Sequence, residues 1–265
     1  MITEKRSDRM QDFEYLYGVN TINTLLEVNT GNRKIFEIII SSGRRMDDRI
    51  KDITGLAQKS TVPVKIVEDR DFKDISGKGY NPQGIMARAS SYNSANLDDY
   101  LEKEAGTDSR LIILDGVTDV GNFGSIIRNC YAFGFDGIII PTNRSVPLNR
   151  VVSRISAGAL EGIRIFKVSN IVQTIKKLKS AQFWIYGTTL EESPRPEVLE
   201  KTDFTFPLAL VMGSEDRGMG RLVAENCDII VSIRLTGKMQ SLNVSVASGI
   251  ILHHIQEKFI GVKSD

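Results

Sequence analysis

The chain has 265 residues, 41% of them hydrophobic and 25% charged, which is enough to close a core without disulfide or metal staples. Its 34 basic and 33 acidic residues nearly cancel, leaving a net charge of +1. The bulk charge therefore favours no polyanionic partner, and any nucleic-acid contact must use a local positive patch. Cys130 and Cys227 are far apart, and no CxxC pair exists, which excludes a zinc ribbon or a disulfide framework and fits a reducing cytoplasm. The histidines, His253 and His254, are adjacent; on a helix they point about 100° apart and share no ligand face, so no metal is expected. Residues 1–12 mix both charges without an apolar run and read as a tail rather than a signal. No segment has the roughly 20 apolar residues of a membrane span, so no membrane partner is expected.

In chain order, a first block covers residues 13–89. Leu16, Val19, Ile22 and Leu26 recur at helical spacing, which predicts a helix over Tyr15–Glu27. Ile35–Ile40 is short, apolar and β-branched and reads as a strand. A helix over Arg44–Ser60, a strand over Val62–Val67 and a strand over Gly84–Ala89 complete a small α/β domain. Residues 90–109 are rich in Ser, Asn and acids and read as a linker, part of it a short surface helix. The second block covers 110–265. Strands are predicted at Leu111–Leu114, Gly137–Ile140, Arg164–Val168, Phe183–Tyr186, Leu208–Met212 and Ile229–Ile233. Helices fit at Asn122–Phe133, Asn149–Gly158, Ile171–Ser180, Met219–Asn226 and Leu242–Glu257. Alternation of this kind predicts a parallel sheet covered on both faces.

Three segments follow predicted strands, where open α/β sheets place their ligands. In Asp115–Arg128, a polar, Gly-bearing loop leads to Asn122, a plausible helix N-cap, and Arg128 follows six residues on. The loop is neither GxGxxG nor a Walker motif. In Leu208–Gly220, Gly213 and Gly218 have P-loop spacing, but Met219 stands where a lysine is required, so a phosphate cradle is disfavoured. Gly213 at a strand end suits close backbone approach, and Glu215 is placed to hold donors on a neighbouring loop. Ser241–Ala247 opens the last helix, with Ser241 as a candidate cap and Asn243 and Ser245 in its first turns. Each segment alone also fits a plain structural reading: a capped helix, a tight turn, a capping motif.

Together they resemble the SpoU (TrmH) family of RNA ribose 2′-O-methyltransferases, within the SPOUT class. Asn122, Gly124 and Arg128 match its first motif. Gly213 and Glu215 match the second, and Ser241-Leu-Asn-Val-Ser-Val-Ala247 matches the third. Tyr17-Gly-Val-Asn20 and Gln83–Arg88 resemble the opening and the last strand of the N-terminal RNA-binding domain in ribosomal-RNA members, with Asn20 where the family often has His. Within the family the chain looks most like the bacterial large-subunit rRNA guanosine-2′-O-methyltransferases, with transfer-RNA enzymes and an inactive RNA-binding homologue as alternatives.

The resemblance implies a SPOUT-type α/β catalytic domain with a parallel sheet and a C-terminal trefoil knot, preceded by a small α/β RNA-binding domain. It implies S-adenosylmethionine as cofactor, contacted by Gly187, Thr188, Met212, Gly213, Ile233, Leu235 and Leu242. Arg234-Leu235 replaces the family's Pro-Met. It implies Arg128 as the catalytic arginine, with Asn122, Glu215, Ser241 and Asn243 holding it and the target nucleotide. Arginine's reference pKa of about 12.5–13.8 makes a cation that stabilises a developing alkoxide the better role than a base. It also implies a homodimer with the last helix near its interface. Structured RNA, expected to be ribosomal, would meet a basic stretch: Arg144, Arg150, Arg154, Arg164, Lys167, Lys176, Lys177 and Lys179, with Glu161 as its acid.

Overall fold

The computed structural model describes residues 13–28, 30–76, 83–189, 196–214, 216–239 and 241–264. Two sheets organise them. The first has four strands in the order β1-β4-β2-β3: β1 (Phe13–Tyr17), β2 (Ile35–Ser41), β3 (Val64–Val67) and β4 (Ile85–Ser90). Helices α1 (Val19–Val28) and α2 (Asp48–Lys59) cover one face, and α3 (Asp69–Ser76) covers part of the other.

The start of this unit corrects the sequence reading. Phe13, Tyr15 and Tyr17 alternate along a strand, Gly18 turns the chain at φ 98°, and the helix begins only at Val19. Leu16 on the strand enters the same core as Ile22 and Leu26, so the apolar spacing imitates one continuous helix. Helix α3 carries no sequence prediction; Phe72 and Ile75 dock it against Tyr17, Ile39 and Met86.

The second sheet has seven strands in the order β7-β6-β5-β10-β8-β11-β9, and every described pair is parallel. The strands are β5 (Arg110–Asp115), β6 (Gly137–Pro141), β7 (Arg164–Val168), β8 (Trp184–Thr188), β9 (Glu197–Val198), β10 (Leu208–Gly213) and β11 (Ile229–Ser232). All six residues of β10 are buried, as a strand covered on both faces requires. The connecting helices are α4 (Leu97–Lys103), α5 (Val120–Ala132), α6 (Arg150–Ile155), α7 (Ala159–Gly162), α8 (Ile171–Ser180), α9 (Arg221–Ala224) and α10 (Val244–Ser264).

The predicted Asn149–Gly158 helix stops early, at Ile155 of α6, and the separate short helix α7 begins past its predicted end, at Ala159. Ala157 and Gly158 take φ values of 54° and 90°, and a Cβ on Gly158 would lie 2.6 Å from the Cα of Thr21 on α1. The break lets the two units touch backbone to backbone. The segment read as a linker is packed as well: Tyr92, Leu97 and Tyr100 are buried, and Ala95 bridges to Phe166 alongside β7.

A buried polar network joins the units. Arg33 Nε donates to Glu161 at 2.8 Å, and its Nη1 donates to Glu14 at 2.5 Å and to the Ser90 carbonyl at 2.6 Å. Both Arg33 and Glu161 side chains are fully buried. Asn32 donates to Tyr92 Oη, which donates to the Ile163 carbonyl, each at 2.8 Å. Burial pushes the Glu161 carboxyl up, and the Arg33 guanidinium opposes it.

Removing the guanidinium alone leaves an uncompensated buried carboxylate. Arg33→Met is therefore expected to lose about 3–5 kcal/mol in denaturant unfolding, with part regained in Arg33→Met/Glu161→Met. In Arg33→Met the Glu161 pKa stands above its unfolded value, so the neutral acid contributes stability below that range. The variant should lose further stability as pH rises through the raised folded pKa.

Candidate active site

The carboxyl ends of β5, β8, β10 and β11 converge on one edge of the large sheet. Parallel register sets Gly213 opposite Asp115. After Gly213 the chain doubles back: the Ser214 and Gly218 backbones exchange hydrogen bonds of 3.1 and 2.9 Å, and Gly218 adopts φ 62°. A Cβ on Gly213 would meet the carbonyl carbon of Gly218 at 2.1 Å and the Met219 nitrogen at 2.2 Å. The motif glycine is thus required by backbone close approach. Asp115 fastens the same loop by accepting the Gly220 N–H at 2.7 Å.

These loops border a cleft of about 690 Å³. Thr188, Met212, Gly213, Ile233, Leu235, Ser241 and Leu242, all expected site residues, line it. Its wall is completed by Val244, Ala247 and Ile251 on α10. Sequence reasoning does not single out Thr189, Pro196, Val198 or Ser214, which also line it. Thr189 and Ser214 each follow a predicted residue directly. Val198 belongs to a two-residue strand, which Pro196 directly precedes, too short to leave a periodic signal. Arg234, half of the departure from the family's Pro-Met, is the one charged side chain in the lining among the described residues.

Gly187 is not in the wall. A Cβ there would lie 2.8 Å from Cys227 Sγ, Ile230 Cδ1 and Met219 Cε, so this glycine admits the packing behind the cleft. Burial pushes the Cys227 thiol up to about 12, which keeps it neutral and unreactive.

Asn122 and Asn243 meet directly: Asn243 Nδ2 donates to Asn122 Oδ1 at 3.0 Å, joining the start of α5 to the start of α10. The helix caps differ from the sequence reading, which named Asn122 and Ser241. Asp119, not Asn122, caps α5 by accepting the Asn122 N–H at 2.7 Å. Asn243, not Ser241, caps α10, its Oδ1 accepting from Ser245 and Val246 N–H at 2.9 and 3.3 Å. Asn129 secures the helix pair by donating to the Ser245 carbonyl and to Ser248 Oγ. Gly124 serves packing too, since a Cβ would meet Ile155 Cγ2 at 2.5 Å.

Arg128 stands one turn beyond Gly124 on α5, exposed and without a hydrogen bond or ion pair among the described residues. Glu215 lies outside the described residues. His253 packs edge-on against Phe133 and His254 against Phe204, both away from the cleft lining.

The basic stretch is smaller than its sequence count. Arg164 pairs with Glu104, Lys177 with Asp98 and Lys179 with Asp228. Two of those acids come from the segment read as a linker. Arg144 is exposed in the segment between β6 and α6 and Arg154 is exposed on α6, whereas the Arg150 N–H donates to Glu14 at 2.7 Å.

Family comparison agrees with this geometry across the chain. Residues 109–253 match the SpoU rRNA Methylase family, and residues 15–95 match the RNA 2′-O ribose methyltransferase substrate-binding family. The chain belongs to the SpoU rRNA methylase family. The methylase is 35% identical over 253 residues to RlmB, a 23S rRNA (guanosine-2′-O-)-methyltransferase of Vibrio parahaemolyticus, covering 94% of this chain and 99% of that one. It is 32% identical to YacO of Bacillus subtilis, whose TrmH-family name includes both tRNA and rRNA, over 94% of this chain and 97% of that one. Among solved structures, AviRb of Streptomyces viridochromogenes in complex with AdoMet superposes with a TM-score of 0.74 at 20% identity. That match covers 97% of this chain and 95% of AviRb. An AdoMet-bound rRNA methyltransferase of Sinorhizobium meliloti gives 0.73 at 21% identity, over 92% and 87%.

The Gly213 contact separates packing from propensity. Gly213→Ala is expected to destabilise the methylase by at least about 1–3 kcal/mol in thermal unfolding, because backbone must move. Gly237→Ala, with open space around its Cβ, should stay within about 0.5 kcal/mol of the parent.

Proposed function

We propose that the methylase transfers a methyl group from S-adenosylmethionine to the ribose 2′-hydroxyl of a guanosine in 23S ribosomal RNA. The observation that carries this reading is the cleft at the strand ends, with the Asn122–Asn243 pair beside it and Arg128, unpartnered among the described residues, on the adjoining helix. The fit to an adenosine-bearing ligand is physical. The cleft has the volume of a small-ligand site, a wall of Met212, Val231, Ile233, Leu242 and Ile251, and hydroxyls from Thr188, Ser214, Ser232 and Ser241. Leu235 and Met239 leave apolar surface open at its border. The cofactor supplies an electrophilic methyl group on a sulfonium.

The chain's own residues do the rest. The Arg128 guanidinium stabilises the charge that develops on the 2′-oxygen and binds a neighbouring phosphate; the hydroxyl proton leaves to water. Asn122, Asn243 and Ser241 orient the nucleotide. Glu215 joins them by its motif position, one residue after Ser214 in the cleft. Arg144, Arg150 and Arg154 contact the RNA backbone. We also infer the trefoil knot of the class, supported by the strand order that sets β10 between β5 and β8. A cytoplasmic location fits two free thiols and a ribosomal substrate.

A homodimer completes the reading. Val246, Ile250 and Ile260 form an exposed apolar stripe along α10, on a helix whose other faces pack on α5 and line the cleft.

Labelled S-adenosylmethionine and 23S rRNA lacking the modification should yield label in 2′-O-methylguanosine; label in transfer RNA instead would redirect the substrate. Arg128→Ala should reduce transfer by about 10²–10³-fold while the melting temperature and cofactor affinity hold, since the side chain is exposed and unpaired. Sedimentation should give a dimer, and Val246→Glu/Ile250→Glu should shift it to monomer; a monomeric parent protein would refute the interface.

A further inference from the structure

Among the described residues, one face of the N-terminal sheet is covered only in part. Helix α3 packs over Tyr17, Ile39 and Met86 at one end. At the other end the strand register gathers Phe13, Tyr15, Arg88 and Glu37. A register shift between Ile35 and Glu37 marks a bulge in β2. Ile35 still packs on the helix-covered core, while Phe36 turns to the side of Arg88. Bulges re-aim a side chain in this way.

The outcome is a stack. The Arg88 guanidinium carbon lies 5.3 Å from the Phe13 ring centre and 5.0 Å from that of Phe36, and Lys34 Nζ lies 5.7 Å from the Phe36 ring centre. Phe13 meets Tyr15 edge-on at 5.6 Å. Glu37 holds Arg88 and Lys65, each at 2.6 Å, so two cations share one carboxylate, and Lys34 beside Phe36 adds a third positive charge to the face. Phe13 is 49% exposed and the Lys65 side chain 63%.

We propose that this aromatic and cationic face stacks unpaired bases of the RNA substrate. The inference rests on the methylase reading and adds a second RNA contact to it. Ring faces give base stacking without sequence demand, and the surplus positive charge follows the phosphates. A duplex hides its base faces, so the occupant is a single-stranded element. The location suits the task. Glu14, the residue after Phe13, binds Arg33 and the Arg150 N–H, so the platform starts one residue from the junction that fixes the two units together.

The test uses the full-length protein, a fluorescein-labelled single-stranded oligouridylate, and the same strand paired with oligoadenylate. Phe13→Ala/Phe36→Ala should weaken single-strand binding at least about tenfold and abolish the preference over duplex. In methylation assays it should raise KM for RNA, leave kcat at saturating RNA within about twofold, and leave S-adenosylmethionine affinity unchanged by calorimetry. Phe13→Tyr/Phe36→Tyr, which keeps the rings, should restore binding. Unchanged RNA affinity in the alanine variant overturns the platform, whatever else that variant loses, and leaves the methylase reading standing. Parent protein that binds the cofactor but methylates no RNA would instead overturn the reading beneath it.

Discussion

The backbone contact at Gly213 is the constraint on which the rest of the site depends. A buried central strand ends there, and the chain folds back closely enough to occupy the place of a side chain. That return sets Ser214 and Gly218 on the cleft lining and brings Gly220 under the Asp115 carboxylate. The cleft then opens at the carboxyl ends of the parallel strands, where connecting loops gather by topology. α10 supplies the opposite wall because Asn129 and Asn122 on α5 hold its first turns.

A second constraint fixes the N-terminal unit to the first. Arg33 and Glu161 are buried together, with Glu14 and the Ser90 carbonyl sharing the guanidinium. Backbone contact at Gly158 and the Tyr92 hydrogen bonds belong to the same junction. An isolated buried charge is severely penalised, so the pair specifies one seating of the units more strongly than it adds net stability. The charge pattern follows the same logic. Lysines and arginines that look like an RNA surface in the sequence are partly matched to acids, Arg164 and Lys177 to two from the 90–109 segment.

Most of the large sheet was legible. Continuous apolar runs such as Leu111–Leu114 and Leu208–Met212 have few alternatives to a buried parallel strand. The three motifs pointed to the loops that meet at the cleft and its edge. Individual roles were less legible. Gly124 and Gly187 carry motif or site expectations yet serve helix and strand packing, because a glycine in a sequence does not say whether ligand or protein needs the space. The caps went to Asp119 and Asn243, since several capping residues were present within one turn and only geometry selects among them. The first helix was overextended because Leu16 on a strand and Ile22 on a helix face the same core.

The sequence by itself determined the family, the alternation of strands and helices, and the set of polar residues available for chemistry. Those depend on local periodicity and on motifs contiguous in the chain. Tertiary structure decided which of these residues share a cleft, which cations are already paired, and that a bulge turns Phe36 toward Arg88. Such outcomes rest on contacts between residues far apart in the chain, and no local pattern encodes a distance between them.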